Sequence, residues 1–208
     1  TPWKLWDYHT GDALTGSDTL EVLKSLETAL AHIKGENLPP HPALLHLYIH
    51  VLEMSNFPER ALEAADQLFM IAPDCGHLNH MPGHIYTLCG DYARTAEISE
   101  VAVKADGKYV AYAGSDNFYT TARCHDYHLM MYANMMLGRY EPALKAAEGI
   151  TQTLTKDLLQ VDRPYMVMTM EGYYSMAMHV LVRFGKWQEI IDRPLPSCPV
   201  VYCVSTAM

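Results

Sequence analysis

The chain has 208 residues, half of them hydrophobic and 19% charged, a composition that fits one globular core or one repeat array. Its net charge of −9, with histidine neutral, argues against broad electrostatic attraction to nucleic acid or an anionic membrane, and no apolar run is long enough to span a bilayer. The five cysteines (Cys75, Cys89, Cys124, Cys198 and Cys203) are odd in number and form no CxxC pair, which argues against a disulfide framework and favours a reducing, cytoplasmic compartment; the start at Thr1 leaves room for a processed leader.

Ser17 or Asp18 as N-cap and Gly35 as stop predict a helix over 17–34, and Pro39-Pro40 then breaks the chain. Helix 42–55 meets helix 58–72, which opens with Pro58-Glu59 as a first turn should. After the turn Pro73-Asp74-Cys75-Gly76, helix 77–89 meets helix 91–105 across Gly90. A loop holding Gly107, Gly114 and Asp116 leads to helix 118–137, which meets helix 140–155 across Gly138; a last pair, 165–184 and 187–192, meets across Gly185. Almost nothing alternates with period two, so the expected class is all-α. Trp3 and Trp6 are expected to anchor the N-terminal segment.

Three of these segments carry histidines at helical spacing: His46, His50 and Glu53; His77, His80 and His84; His125 and His128. Residues three, four and seven apart share one helix face, so each set forms a stripe. Anchored on turn residues tolerant of positive φ (Asn56, Gly90 and Gly138), the stripes align. Ten residues before each anchor stand His46, His80 and His128; six before stand His50, His84 and Tyr132; thirteen before stand Ala43, His77 and His125. His179 lies six before Gly185. The first two anchors are 34 residues apart, the tetratricopeptide period, and later spacings of 48 and 47 make the repeat degenerate.

Imidazole binds zinc, copper and iron, and carboxylate completes many such sites. The expected ligands are His46, His50, His77, His80, His84, His125 and His128 around a transition metal (zinc, copper or iron), with Glu53 as catalytic carboxylate, either a ligand or a general base. Eight candidate donors exceed one tetrahedral shell, so either two ions bind or some donors act from outside the shell. Two other readings use the same residues: satisfied core histidines, or a metal-free His/Tyr-lined groove for a peptide. Asp126 falls off the stripe and is expected to be solvated, and Met81, Met130 and Met131 are core filler or soft copper ligands. Tyr48, Tyr86, Tyr127 and Tyr132 sit near the stripes and are read as substrate contacts or as inter-helix packing. The chain has no HExxH, P-loop, GxGxxG or GxSxG motif.

The segments His46-Leu47-Tyr48-Ile49-His50-Val51-Leu52-Glu53, Pro58-Glu59-Arg60-Ala61-Leu62, Ala72-Pro73-Asp74 and Gly76-His77-Leu78-Asn79-His80-Met81-Pro82-Gly83-His84-Ile85-Tyr86 resemble a histidine-rich group of tetratricopeptide-like proteins, mostly bacterial. Pro2-Trp3, His125–His128 and Val182-Arg183-Phe184-Gly185-Lys186-Trp187 extend the resemblance over nearly the whole chain. Gly83 stands where serine is common in that group, and Cys124-His125-Asp126 replaces a plain His-Asn pair. The resemblance implies an α-solenoid of helical hairpins with the histidines lining its concave cavity, and it implies no particular activity. It places one domain over 1–208: an N-terminal segment and helix (1–40), hairpins (41–192), and a tail (193–208) short of where such proteins usually continue. The expected function is a metalloenzyme performing hydrolysis or oxygen chemistry on a small molecule or peptide in the groove. The rival is a peptide- or protein-binding scaffold of the same fold.

Overall fold

The computed structural model describes residues 4–7 and 9–194. The expectations for Trp3, Cys198, Cys203 and most of the tail lie outside these residues. Among the described residues every regular element is helical, and the one pairing of extended backbone is an isolated bridge between Trp6 and Ala13.

Helix α1 spans Thr19–Gly35 and α2 spans Pro42–Leu52. A 3-10 turn (Pro58–Ala61) leads into α3 (Leu62–Leu68), followed by α4 (Gly76–His80) and α5 (Pro82–Leu88). Then come α6 (Tyr92–Ala113), α7 (Tyr119–Met136), α8 (Tyr140–Thr153), α9 (Pro164–Tyr174), α10 (Met176–Arg183) and α11 (Trp187–Asp192). Packing follows chain order: α1 on α2, α2 on α3, α3 on α5, α5 on α6, α6 on α7, α7 on α8, α8 on α10. Contacts also link α2 to α5, α4 to α7, and α7 to α9 and α10.

Several boundaries differ from the sequence expectation, for local reasons. The 77–89 segment divides at Met81 because Pro82 has no N–H to donate, yet Met81 keeps right-handed helical dihedrals and the path continues. Gly107 does not end α6. A Cβ there would meet nothing, and burial of Ala102, Ala105 and Asp106 carries the helix past it to Gly114, whose φ of +75° ends it. The 165–184 segment divides at Ser175. Gly90, Gly138 and Gly185 adopt φ of +80°, +69° and +65°, as their turns require. Asn56 does not enter the left-handed region; the chain reverses instead through Ser55, whose hydroxyl donates to the Leu52 carbonyl (2.7 Å) and accepts from the Phe57 amide (3.2 Å).

The apolar core has three parts. The first joins α1, α2, α3 and α5 through Leu26, Leu45, Ile49, Leu52, Leu68 and Ile85, all buried. Burying a side chain of this size is worth roughly 1.5–3 kcal/mol. Trp6 seals this core by donating Nε1–H to the Val51 carbonyl (2.6 Å) and packing edge-on against Phe57, so it anchors the N-terminal segment as expected. The other two parts lie around α7, α8, α9 and α10. On α8, Ala143, Ala146, Ala147 and Ile150 form the buried stripe while Glu141, Lys145 and Glu148 face water. Met81, Met131, Met166 and Met170 are buried filler in these cores. No helix among the described residues is long and apolar enough to cross a membrane.

Candidate metal centre

Helix α2 presents His46 and His50 one turn apart. The joined path of α4 and α5 presents His77, His80 and His84 on one face, and α7 presents His125 and His128. The start of α4 is fixed by Asn79, a fully buried side chain with no sequence signal of its own. Its amide accepts from the Met70 N–H (3.1 Å) and donates to the carbonyls of Ala72 and Cys75 (3.0 Å each). That staples the preceding loop and holds His77 and His80 in place. Gly83 lets α7 approach α5: a Cβ there would lie 2.7 Å from the Leu129 side chain.

Six of the seven predicted histidines come together as two triads. His46, His50 and His77 form the first, and His80, His84 and His125 the second; within each, the ligand atoms lie within 4.8 Å of one another. His46 Nε2 is 3.1 Å from His77 Nε2, His80 Nε2 is 2.8 Å from His84 Nε2, and His125 Nε2 is 3.5 Å from His84 Nε2. A tetrahedron built on Zn–N bonds of about 2.0–2.1 Å has edges of roughly 3.3–3.4 Å, so these separations suit a shared ion. Each triad takes the residues ten and six before one turn and thirteen before the next, so the two are equivalent in the repeat register. They adjoin: the His50 and His84 rings are 6.3 Å apart, as are those of His77 and His80.

Glu53 links the triads. One carboxylate oxygen accepts from His50 Nδ1–H (2.8 Å) and the other accepts from His84 Nδ1–H. Both imidazoles thereby carry their proton on Nδ1 and their lone pair on Nε2, which in His84 faces the other nitrogens of its triad. Burial alone would raise the Glu53 carboxyl, but hydrogen bonds and charge from His50 and His84 outweigh it and hold it at about 2.

Asp126 departs from expectation. It is buried at 1% exposure, and its Oδ1 lies 3.0 Å from Nδ1 of the fully buried His80, close enough to pair but off the line of a good hydrogen bond. One residue beyond His125 on α7, it faces α4 and α6, where the buried Asp106 of α6 extends the polar core; the half-buried Tyr119, at the start of α7, donates its hydroxyl to Asp106 (2.9 Å). Burial and then the neighbouring Asp106 raise the Asp126 carboxyl well above its ordinary range. Gly76 makes room for this pair, since a Cβ there would lie 1.8 Å from Asp106 Oδ1.

Burial lowers four of the six triad histidines, reinforced by their neighbours. His46 falls to about 4 through burial, then His50 and His77; His125 falls to about 4 through burial, then His84 and His128. Burial also lowers His77, and with His84 and His125 it lowers His80 further. Neutral imidazole is the form that binds metal. Cys124 is buried in apolar surroundings that push its thiol up to about 12, so it is no rival donor.

His128 stands outside both triads. Its ring packs 5.8 Å from Tyr173, with the exposed His179 close enough to influence its charge. Tyr48 and Tyr86 turn away from the histidines and donate to Glu27 (3.3 Å) and Asp66 (2.6 Å), whereas Tyr132 stays beside His128. No family model, curated protein or solved structure matches this chain.

Proposed function

We propose that this protein is a metal-binding, tetratricopeptide-like helical solenoid whose two histidine triads hold two transition-metal ions and use them catalytically. The observation that carries the reading is the pair of equivalent histidine triads bridged by Glu53. Three nitrogen donors per ion leave a fourth tetrahedral position for water or substrate, the pattern of catalytic rather than structural zinc. The donors are all imidazole, which suits zinc, copper or iron. A bound ion supplies Lewis acidity and activated water; hydrolysis is the reaction class this favours, with oxygen chemistry following if the ion is iron or copper. Glu53 orients His50 and His84, Asp126 flanks His80, and burial favours the neutral form of His46, His77, His80 and His125. The order of packing along the chain and the glycine turns support the stacked-hairpin reading.

The test is elemental analysis of protein purified without chelator or histidine tag, before and after reconstitution with zinc, copper or iron. Two ions per chain are expected after reconstitution. Only trace metal in both samples would overturn the reading and leave the metal-free groove.

A further inference from the structure

The histidine register runs one step beyond the metal triads. His128 and Tyr132 stand ten and six residues before Gly138, the positions that give His46/His50 and His80/His84 in the first two steps. The third member, thirteen before Gly185, is Gly172 rather than histidine, and a Cβ there would meet nothing within 4 Å. This third slot offers one imidazole and one phenol but no third nitrogen.

Beside it lies an open hollow of about 440 Å³. One wall is the flank of the second triad, His84 and His125, with Glu53. Met54, Leu88 and Leu129 give it apolar surface, Leu88 and Leu129 one helical turn beyond His84 and His125, and Thr87, His128 and Tyr132 complete the lining. Leu88 is 53% exposed and Tyr132 36%, so apolar surface is left in water next to the candidate metal. None of the described lining residues is lysine or arginine. A phosphate-rich ligand would find no cation other than the ions, and a sugar would leave most of its hydroxyls against hydrocarbon. The volume fits a small molecule.

We propose that this hollow is the acyl subsite of the metal centre: it takes small hydrolysable acyl compounds with an apolar body and binds the monocarboxylates that their hydrolysis by water releases. The carboxylate joins the ion held by His80, His84 and His125, and the apolar body lies along Leu88, Leu129 and Met54. His128 and Tyr132 supply hydrogen bonds to the polar end. The assignment rests on the metal-centre reading above.

The test uses the full chain loaded with Co(II), whose visible absorption reports its coordination shell, titrated with straight-chain carboxylates from acetate to decanoate. Affinity is expected to rise roughly threefold per methylene until the hollow is filled. Leu88→Asp, at an exposed position, keeps its cobalt and its helical circular dichroism but loses roughly tenfold in octanoate affinity. Tyr132→Ala, which widens the hollow, shifts the plateau to longer chains. Equal affinity for acetate and octanoate in cobalt-loaded protein, or unchanged chain-length profiles in both variants, would overturn the acyl subsite and leave the metal centre standing. Failure of cobalt to load would remove both.

Discussion

Glu53, at the C-terminal end of α2, accepts a hydrogen bond from Nδ1–H of His84 on α5, while its other oxygen accepts from His50 on its own helix. One carboxylate therefore sets the orientation and tautomer of a ligand in each triad. Losing such an outer partner typically costs 10–100-fold in metal affinity. Glu53→Ala is expected to weaken both ions by about that factor. Glu53→Gln is expected to weaken mainly one, because an amide accepts from one imidazole but donates to the other and drives that ring's proton onto the ligating nitrogen. Competition titration against a chromophoric chelator separates the two outcomes. Unchanged affinity in both variants would show that Glu53 supports neither site.

Asp126 lies beside His80 of the second triad. Asp126→Asn should lower affinity at His80, His84 and His125 by roughly 10–100-fold while leaving the first triad intact. The same titration resolves this as loss of one of two binding phases. Equal weakening of both phases would indicate general damage to the fold.

Gly76 is where α4 meets the Asp106 carboxylate. Gly76→Ala forces a Cβ onto Asp106 Oδ1 and to 3.0 Å from the Ala102 carbonyl. Overpacking of this kind costs about 1–3 kcal/mol. A lowered Tm in metal-free protein is expected, and an unchanged Tm would mean that α4 shifts freely.

The pH dependence follows from the sign of the shifts. Folded His46 and His125 titrate near 4, below the unfolded value of about 6.5, so the unfolded chain takes up their protons first. The stability they contribute is complete above pH ~6.5 and is lost as pH falls toward 4. Glu53, at about 2 against an ordinary 4.5, adds a loss that starts below pH 4.5. Metal-free protein should therefore melt at a constant temperature between about pH 7 and 8 and less stably below about 6.5. Metal affinity should fall less steeply on acidification than six unperturbed imidazoles, each titrating at ~6.5, would give, because His46, His77, His80 and His125 are lowered. Tm measured with and without zinc across pH 4–8 tests both; a Tm that rises on acidification would reverse the sign.

The helices and their glycine turns were legible in the sequence because Gly90, Gly138 and Gly185 sit where the chain needs positive φ. The stripes were legible because i, i+4 spacing on a helix leaves histidines no choice of face. Three things were not. The third member of each triad comes from the next helix, and only packing decides that His77 meets His46 and His50 while His125 meets His80 and His84. His128 shares the register yet joins no triad, because the following step supplies Gly172 instead of histidine. Asp126 reads as a solvent-facing acid from its offset alone. That flank is covered by α4 and α6, a tertiary fact that no local pattern encodes.

The most direct test of the two-triad centre is native mass spectrometry of zinc-reconstituted variants. Wild type and His128→Ala should each carry two ions, as should His32→Ala and His41→Ala, whose histidines are exposed and outside the register. His77→Ala and His125→Ala should each carry one, and the double variant none. Two ions retained in the double variant, or both lost in either single variant, would contradict the account.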